Sequence, residues 1–68
     1  MPYVNIKVTG GNEAPSKEQK AELIKGVTDL LVKVLKKDPK STVVVIDEIN
    51  MDNYGMDGES ITVLRARK

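Results

Sequence analysis

Four consecutive β-branched residues, Val43 to Ile46, constrain the fold of this chain of 68 residues more than any other feature. A strand with one wet face alternates apolar and polar residues, whereas an unbroken apolar run is typical of a strand covered on both faces, as in parallel sheets. Nearer the start of the chain, Val4, Ile6 and Val8 alternate with less apolar residues and predict a first strand over residues 3–8 with one buried face. The sequence therefore predicts two strands of different character.

One amphipathic helix separates these strands. Ser16 and Gln19 have the spacing of a capping box, which starts the helix after a loop over residues 9–15. The residue before Pro39 is disfavoured in helical geometry, so the helix should end near position 38. At 100° per residue, seven apolar side chains fall within an arc of about 140°: Leu23, Ile24, Val27, Leu30, Leu31, Val34 and Leu35. Strand, crossover helix and strand make a βαβ unit with parallel strands.

This βαβ unit has one helix to cover a strand that needs cover on two sides. The other face of residues 43–46 therefore requires a second copy of the chain. Cores of fewer than about 70 residues rarely supply more than ~3–5 kcal/mol, and small natural proteins add disulfides, metals or self-association. The chain has no Cys and no His, which leaves self-association. We expect a homo-oligomer.

The C-terminal part of the chain is rich in turn formers. Residues 50–58 carry no helical periodicity, and Asp57-Gly58 predicts a tight hairpin turn. Ile61, Val63 and Arg65 alternate along the sequence and predict a short terminal strand. The expected fold class is α/β (α+β): a single domain over residues 1–68, with one βαβ unit of parallel strands and a C-terminal hairpin or short strand.

The composition excludes several kinds of chemistry. Without His and Cys there is no imidazole base, no thiol nucleophile and no credible zinc site, and no glycine-rich phosphate loop occurs. We therefore expect neither metal nor cofactor. A formal net charge of +1 and two tyrosines as the only aromatic residues argue against a nucleic-acid partner. The sequence shows no signal peptide and no apolar run of membrane-spanning length, which predicts a cytoplasmic protein with no membrane partner.

Pro2 is the most informative residue for function. Removal of Met1 would leave a secondary amine at the new N-terminus, and α-amino groups titrate at roughly 7.7–8.0 in small peptides. Apolar surroundings or nearby cations lower that value by disfavouring the charged form. Pro2 can therefore act as a base near neutral pH in a chain that has no histidine. A Met-Pro start without function is the ordinary alternative.

The chain resembles the 4-oxalocrotonate tautomerase family, the short βαβ branch of the tautomerase superfamily. The resemblance covers nearly the whole sequence. It is carried by Pro2 opening strand 1, by Glu18-Gln19-Lys20 followed by Leu23-Ile24, by the strand leading into Glu48, and by residues 54–59 at the family's aromatic-Gly-x-Gly-Gly hairpin. It implies a hexamer, a trimer of dimers, in which Pro2 is the general base that moves a proton between the enol oxygen and a carbon of a small α-keto acid.

The resemblance also implies further site residues. Tyr54 occupies the position of the family's aromatic pocket residue, and Arg65 aligns with an arginine near the family's C-terminus. Lys7 lies on the strand face opposite Val4, Ile6 and Val8, from which it can reach a substrate anion at a subunit interface. The alternative interpretations are a half-buried hairpin aromatic for Tyr54, a solvated charge for Arg65 and a solvated or salt-bridged Lys7. Adjacent Asp47 and Glu48 point to opposite faces of their strand and cannot easily cooperate.

Two arginines of the family pattern are absent. They would lie in the loop after strand 1, which reads Gly11-Asn12-Glu13, and near the start of strand 2, at Val43. Because only arginine offers a planar bidentate fork for a carboxylate, we expect dicarboxylate enols to be poor substrates compared with monoacid enols.

Two other functions stay open at this point. One is a non-catalytic oligomeric binding or scaffold protein that keeps the fold without the arginines. The other is a hydratase or dehalogenase on the same scaffold, with protonated Pro2 as an acid. The leading hypothesis is a homo-oligomeric tautomerase that acts on a small enol or keto acid.

Overall fold

Two parallel strands and one long helix form the centre of the fold. In the computed structural model, which describes residues 1–67, β1 spans Tyr3–Thr9, α1 spans Lys17–Leu35 and β2 spans Val43–Ile49. Tyr3 pairs with Val43 and Thr9 with Ile49, in parallel register. The predicted parallel βαβ unit is confirmed, and both strands run past their predicted ends because the hydrogen-bonded ladder continues where the apolar pattern stops. Lys68, the last residue of the predicted single domain, lies outside the described residues.

The ends of α1 follow local hydrogen-bonding rules. The Ser16 hydroxyl accepts from the backbone N–H of Gln19 at 3.1 Å, and the Gln19 side chain accepts from the Ser16 N–H at 2.8 Å, so the predicted capping box is formed. The helix ends at Leu35, before the predicted boundary, because Lys36 adopts a left-handed conformation with φ of 57°. Its N–H donates to the Val32 carbonyl at 3.0 Å and closes the last turn.

The two faces of the β1–β2 sheet differ in their cover. Side chains alternate between the faces along each strand, and the side that packs against α1 carries the ion pair between Glu48 of β2 and Lys20 of α1. We call this the helix face: Val4, Ile6, Val8, Val44, Ile46 and Glu48. We call the other side the open face: Tyr3, Asn5, Lys7, Thr9, Val43, Val45, Asp47 and Ile49. Tyr3 on the open face is 66% exposed.

A hairpin follows the sheet, as predicted. Strands β3 (Gly55–Met56) and β4 (Glu59–Ser60) pair antiparallel. Between them Asp57 and Gly58 have positive φ angles of 55° and 80°, as a two-residue hairpin turn of type I′ requires.

The predicted terminal strand through Ile61, Val63 and Arg65 is wrong, because these residues form a second helix, α2 (Ile61–Ala66). The Ser60 hydroxyl caps it by accepting from the Val63 N–H at 3.3 Å. Ile61 is 1% exposed, whereas Val63 is 44% exposed, as expected if Ile61 and half-buried Leu64 share the inner side of a helix. Six residues contain too few apolar positions to distinguish the period of 2 of a strand from the period of 3.6 of a helix.

The described chain is elongated and buries little. Its radius of gyration is 15.2 Å, against about 11 Å for a compact domain of this length. Among residues 1–67, Ile61 alone is a fully buried apolar residue. Apolar side chains of α1 stay exposed, Leu30 to 56% and Val34 to 63%. The apolar arc of α1 is therefore wider than one two-stranded sheet can cover.

Candidate active site

Pro2 is fixed in place by the sheet. Its carbonyl accepts a hydrogen bond from the Val43 N–H at 3.0 Å, which extends the parallel ladder by one step beyond Tyr3. Pro2 is half-buried, whereas Met1 is 85% exposed. While Met1 is attached, the proline nitrogen is an amide whose lone pair is delocalised and takes up no proton near neutral pH. The ring therefore lies at a defined position at the start of the sheet, and Met1 is accessible for removal.

Tyr54 lies at the opposite end of the same sheet. Its hydroxyl hydrogen-bonds with the Thr9 hydroxyl at the end of β1, and its carbonyl accepts from the Ile61 N–H at 3.0 Å. The half-buried ring lines a groove of about 350 Å³ together with Lys7, Val8, Thr9 and Ile49. Tyr54 is thus both a hairpin aromatic and a groove residue.

Arg65 extends from α2 to the loop after β1. Its Nε donates to Glu13 Oε2 at 2.6 Å and its Nη2 donates to Glu13 Oε1 at 3.3 Å, in a two-pronged ion pair. The hydrogen bonding to Glu13, and then the Glu13 charge, raise the pKa of the Arg65 guanidinium above its usual value, and Tyr54 also raises it. Arg65 is therefore paired within its own chain, close to Tyr54.

Lys7 is salt-bridged on the open face. Its Nζ lies 3.0 Å from Asp47 Oδ2, which also accepts from Asn5 Nδ2 at 3.1 Å. The hydrogen bond from Asn5, followed by that from Lys7 and by the Lys7 charge, lowers the pKa of the Asp47 carboxyl. Glu48, the next residue, pairs with Lys20 on the helix face, which confirms that the two adjacent carboxylates point apart.

A single chain groups Lys7, Tyr54 and Arg65 at one end of the sheet and leaves Pro2 at the other. A rise of about 3.3 Å per residue separates Pro2 from Thr9, and so from Tyr54, by roughly 23 Å along β1. Lys7 lines the groove beside Tyr54, and Arg65 lies on α2, whose first N–H donates to the Tyr54 carbonyl. A site that combines Pro2 with Tyr54 requires the Tyr54 end of another chain.

Sequence reasoning missed the role of Glu13. It was noted only as part of a loop that lacks an arginine, although a carboxylate in that place is itself a signal that a nearby cation is bound. Among residues 1–67, no cluster of three or more His, Cys, Asp or Glu side chains is arranged to hold a metal ion. In the same part of the chain, no helix combines the length and apolar character needed to cross a bilayer.

Known proteins resemble this chain over nearly its full length. A family model described as "Tautomerase enzyme" matches residues 2–64. A probable tautomerase from Helicobacter pylori strain J99 is 54% identical over 67 residues, 98% of either chain. The crystal structure of DmpI from Helicobacter pylori is 51% identical with a TM-score of 0.84, and the match covers 98% of this chain and 100% of that one. A heterohexamer 4-oxalocrotonate tautomerase from Chloroflexus aurantiacus is 25% identical with a TM-score of 0.80, covering 96% and 100%.

Proposed function

The chain belongs to the tautomerase family, in agreement with the resemblance in its sequence, and we propose that it catalyses keto–enol tautomerisation with Pro2 as general base. The family membership establishes a tautomerase-like isomerase. The proposal adds the base, the kind of substrate and the assembly.

The position of Pro2 is the observation that carries the proposal. The family match begins at residue 2, and the hydrogen bond from Val43 holds Pro2 at the first step of the sheet. Removal of the exposed Met1 converts the amide nitrogen into a secondary amine at that fixed point. The neighbouring residue Tyr3 pairs with apolar Val43 of β2. Apolar surroundings favour the neutral, proton-accepting form of an amine.

The proposed reaction uses this amine twice. The neutral nitrogen accepts the hydroxyl proton of the enol acid, and the C–O bond becomes a carbonyl. The electron pair of the C=C bond then takes the proton from the nitrogen at carbon, which gives the keto acid and regenerates the amine. A positioned base contributes typically 10²–10⁴-fold to such proton transfers, most efficiently when its pKa lies near the working pH.

The substrate class follows from the charges around the site. Position 43 is Val and the loop over residues 11–13 carries Glu13 instead of an arginine, so the usual forks for two carboxylates are missing. Arg65 is occupied by Glu13. We therefore propose small monoacid enols, such as phenylenolpyruvate, as better substrates than dicarboxylate enols, such as 2-hydroxymuconate.

We further propose that the active unit is a homo-oligomer, a hexamer built as a trimer of dimers. Pro2 and Tyr54 lie roughly 23 Å apart in one chain, so a site that contains both forms only between chains. Two separate apolar surfaces remain uncovered, one on α1 and one on the open face. The relative from Chloroflexus aurantiacus, a heterohexamer, supports an assembly of six chains.

The test compares phenylenolpyruvate ketonisation by three samples checked by intact mass spectrometry: the Met1-free protein, the protein that retains Met1, and Pro2→Ala. We expect kcat/KM to fall by about 10²-fold or more when Met1 is retained, because the base is then blocked. We expect a smaller loss for Pro2→Ala, which keeps a primary amine. Equal rates with and without Met1 would remove Pro2 from the mechanism. Activity lost on the alkaline side of the pH profile, instead of the acid side, would make Pro2 an acid.

A further inference from the structure

We propose that Glu13 determines substrate specificity by holding the Arg65 guanidinium and so denying it to a second substrate carboxylate. This inference rests on the proposed function, because it concerns the substrate of that same site. Glu13 acts through Arg65 and is therefore a positioning residue.

The geometry of the ion pair supports this role. Two nitrogen atoms of Arg65 donate to two oxygen atoms of one carboxylate, which is the same fork-to-fork arrangement that a substrate carboxylate would require. At the other N–H donors of Arg65 a second carboxylate is repelled by the Glu13 charge, and it can bind the Nε–Nη2 edge only by displacing Glu13. Each charge-assisted hydrogen bond that the ligand forms to this edge replaces one that Arg65 already makes to Glu13.

The location of the pair makes it relevant to a ligand. The side chains of Arg65 and Glu13 remain 42% and 38% exposed, so solutes reach them. Arg65 lies on α2, whose first N–H, at Ile61, donates to the Tyr54 carbonyl at 3.0 Å, and Tyr54 lines the groove beside Thr9. The ion pair therefore lies at the Tyr54 end of the sheet, where we place the far end of a bound acid.

The ion pair also sets the charge that a ligand meets at this end of the sheet. The loop after β1 carries one negative charge, on Glu13, and the Arg65 side chain of α2 places one positive charge against it. These two charges cancel, so Arg65 adds no net positive charge that could attract a second carboxylate. A monoacid with an apolar far end loses nothing from this arrangement, whereas a dicarboxylate must compete with Glu13.

The kinetic test measures the ratio of kcat/KM for 2-hydroxymuconate to that for phenylenolpyruvate. Glu13→Gln should raise this ratio roughly three- to tenfold, mainly through KM, since a charge-assisted contact is freed for substrate. The gain should vanish in the double variant Glu13→Gln/Arg65→Gln. Glu13→Asp, which keeps the carboxylate, should restore a ratio near that of wild type. Glu18→Gln, the same charge change in the exposed first turn of α1, is the matched control and should leave the ratio unaltered.

A binding measurement tests the inference without turnover. Arg65 and Arg67 are the only arginines in the chain, so two arginine Nε–H signals are expected in ¹⁵N NMR spectra, and an Arg67→Lys variant assigns them. Adipate should shift the Arg65 signal at roughly three- to tenfold lower concentration in Glu13→Gln than in wild type, and adipamide, which has the same chain length and no carboxylate, should shift it equally weakly in both. Glu13→Ala serves as a second variant if Glu13→Gln does not fold.

The outcomes separate this inference from the proposed function. No dependence of phenylenolpyruvate turnover on Met1 removal would contradict the proposed function, and the adipate titration would still decide the role of Glu13. An unchanged substrate ratio with unchanged adipate binding in both Glu13 variants overturns the inference. A gain that persists after Arg65→Gln also overturns it, because Glu13 would then act on substrate without Arg65.

Discussion

Asp47 shows how one side chain on the open face is tuned by its neighbours. It accepts hydrogen bonds from Asn5 and Lys7 on β1, and these contacts lower the pKa of its carboxyl. Because the carboxylate is held by partners in the folded chain and by none in an unfolded one, its charged form favours folding. The three residues therefore form a polar cluster within a surface that is otherwise rich in Val and Ile.

This cluster predicts a pH-dependent stability. A carboxyl whose pKa is lowered on folding contributes stability above its unfolded value of about 3.9, and the contribution is lost as pH falls through the folded pKa. Asp47→Asn should therefore be less stable than wild type near neutral pH, with a difference that shrinks below about pH 4. Urea unfolding at fixed protein concentration across this range measures it.

The control for this prediction is Asp29→Asn, which removes a carboxylate from the exposed Lys25–Asp29 pair of α1. A stability difference between Asp47→Asn and wild type that stays constant from neutral to acid pH would contradict the role given to the Asp47 charge.

At the level of single residues, sequence reasoning succeeded where a role depends on local chemistry. Strand alternation placed Lys7 on the face opposite Val4, Ile6 and Val8. Its partner Asp47, 40 positions away, was not predictable, nor was the pairing of Arg65 with Glu13, because 52 positions separate those partners and no local pattern connects them. Long-range ion pairs of this kind depend on how elements dock.

At the level of elements, helix α1 and the hairpin turn were predictable because each has its own local sequence signal, whereas the short helix α2 was not. The capping box, the apolar arc and the Asp57-Gly58 turn each fix an element from within. Helix α2 lacks such redundancy, and its identity depends on the burial of Ile61 against the preceding hairpin segment. A tertiary contact therefore overrode the alternating pattern that had predicted a strand.

The hairpin before α2 contains a glycine, Gly55, at which a side chain would meet backbone atoms of the opposite strand. A Cβ added to Gly55 would collide with the Glu59 carbonyl oxygen and lie 2.8 Å from the carbonyl carbon and 3.1 Å from Ser60 Cα, all backbone atoms. Gly55→Ala should therefore lower the free energy of unfolding by about 1–3 kcal/mol, as overpacking does. Chemical denaturation monitored by circular dichroism measures the loss.

Gly26 provides the matched control for this substitution. It lies within α1 and a Cβ there would meet no atom within 4 Å, so Gly26→Ala should raise the free energy of unfolding by about 0.5–1 kcal/mol. Equal effects of the two substitutions would contradict the close approach at Gly55. Loss of assembly in Gly26→Ala would show that another chain packs against Gly26, and it would contradict the interpretation of this glycine as a tolerated helix defect.

At the level of the whole molecule, the described residues leave two separate surfaces with apolar side chains uncovered, one on α1 and one on the open face. Exposed Leu23, Leu30 and Val34 form a stripe along α1, whereas Val43 and Val45 lie on the open face, on the other side of the sheet. A dimer formed through either surface would leave the second one exposed. An assembly that covers both surfaces therefore needs more than two chains, as the proposed hexamer has.

Sedimentation equilibrium should therefore give a mass of about six times the 7.5 kDa of one chain, since self-association replaces the core that so small a chain lacks. Leu30→Asp and Val45→Asp should each yield smaller species, because each places a charge in a different interface. Lys25→Asp, about 140° around α1 from Leu30 at 100° per residue and exposed to solvent, is the control and should keep the full mass. A wild-type mass of one chain, with cooperative unfolding that does not depend on concentration, would contradict the assembly. It would also contradict a site shared by Pro2 and Tyr54, since these residues would then never meet.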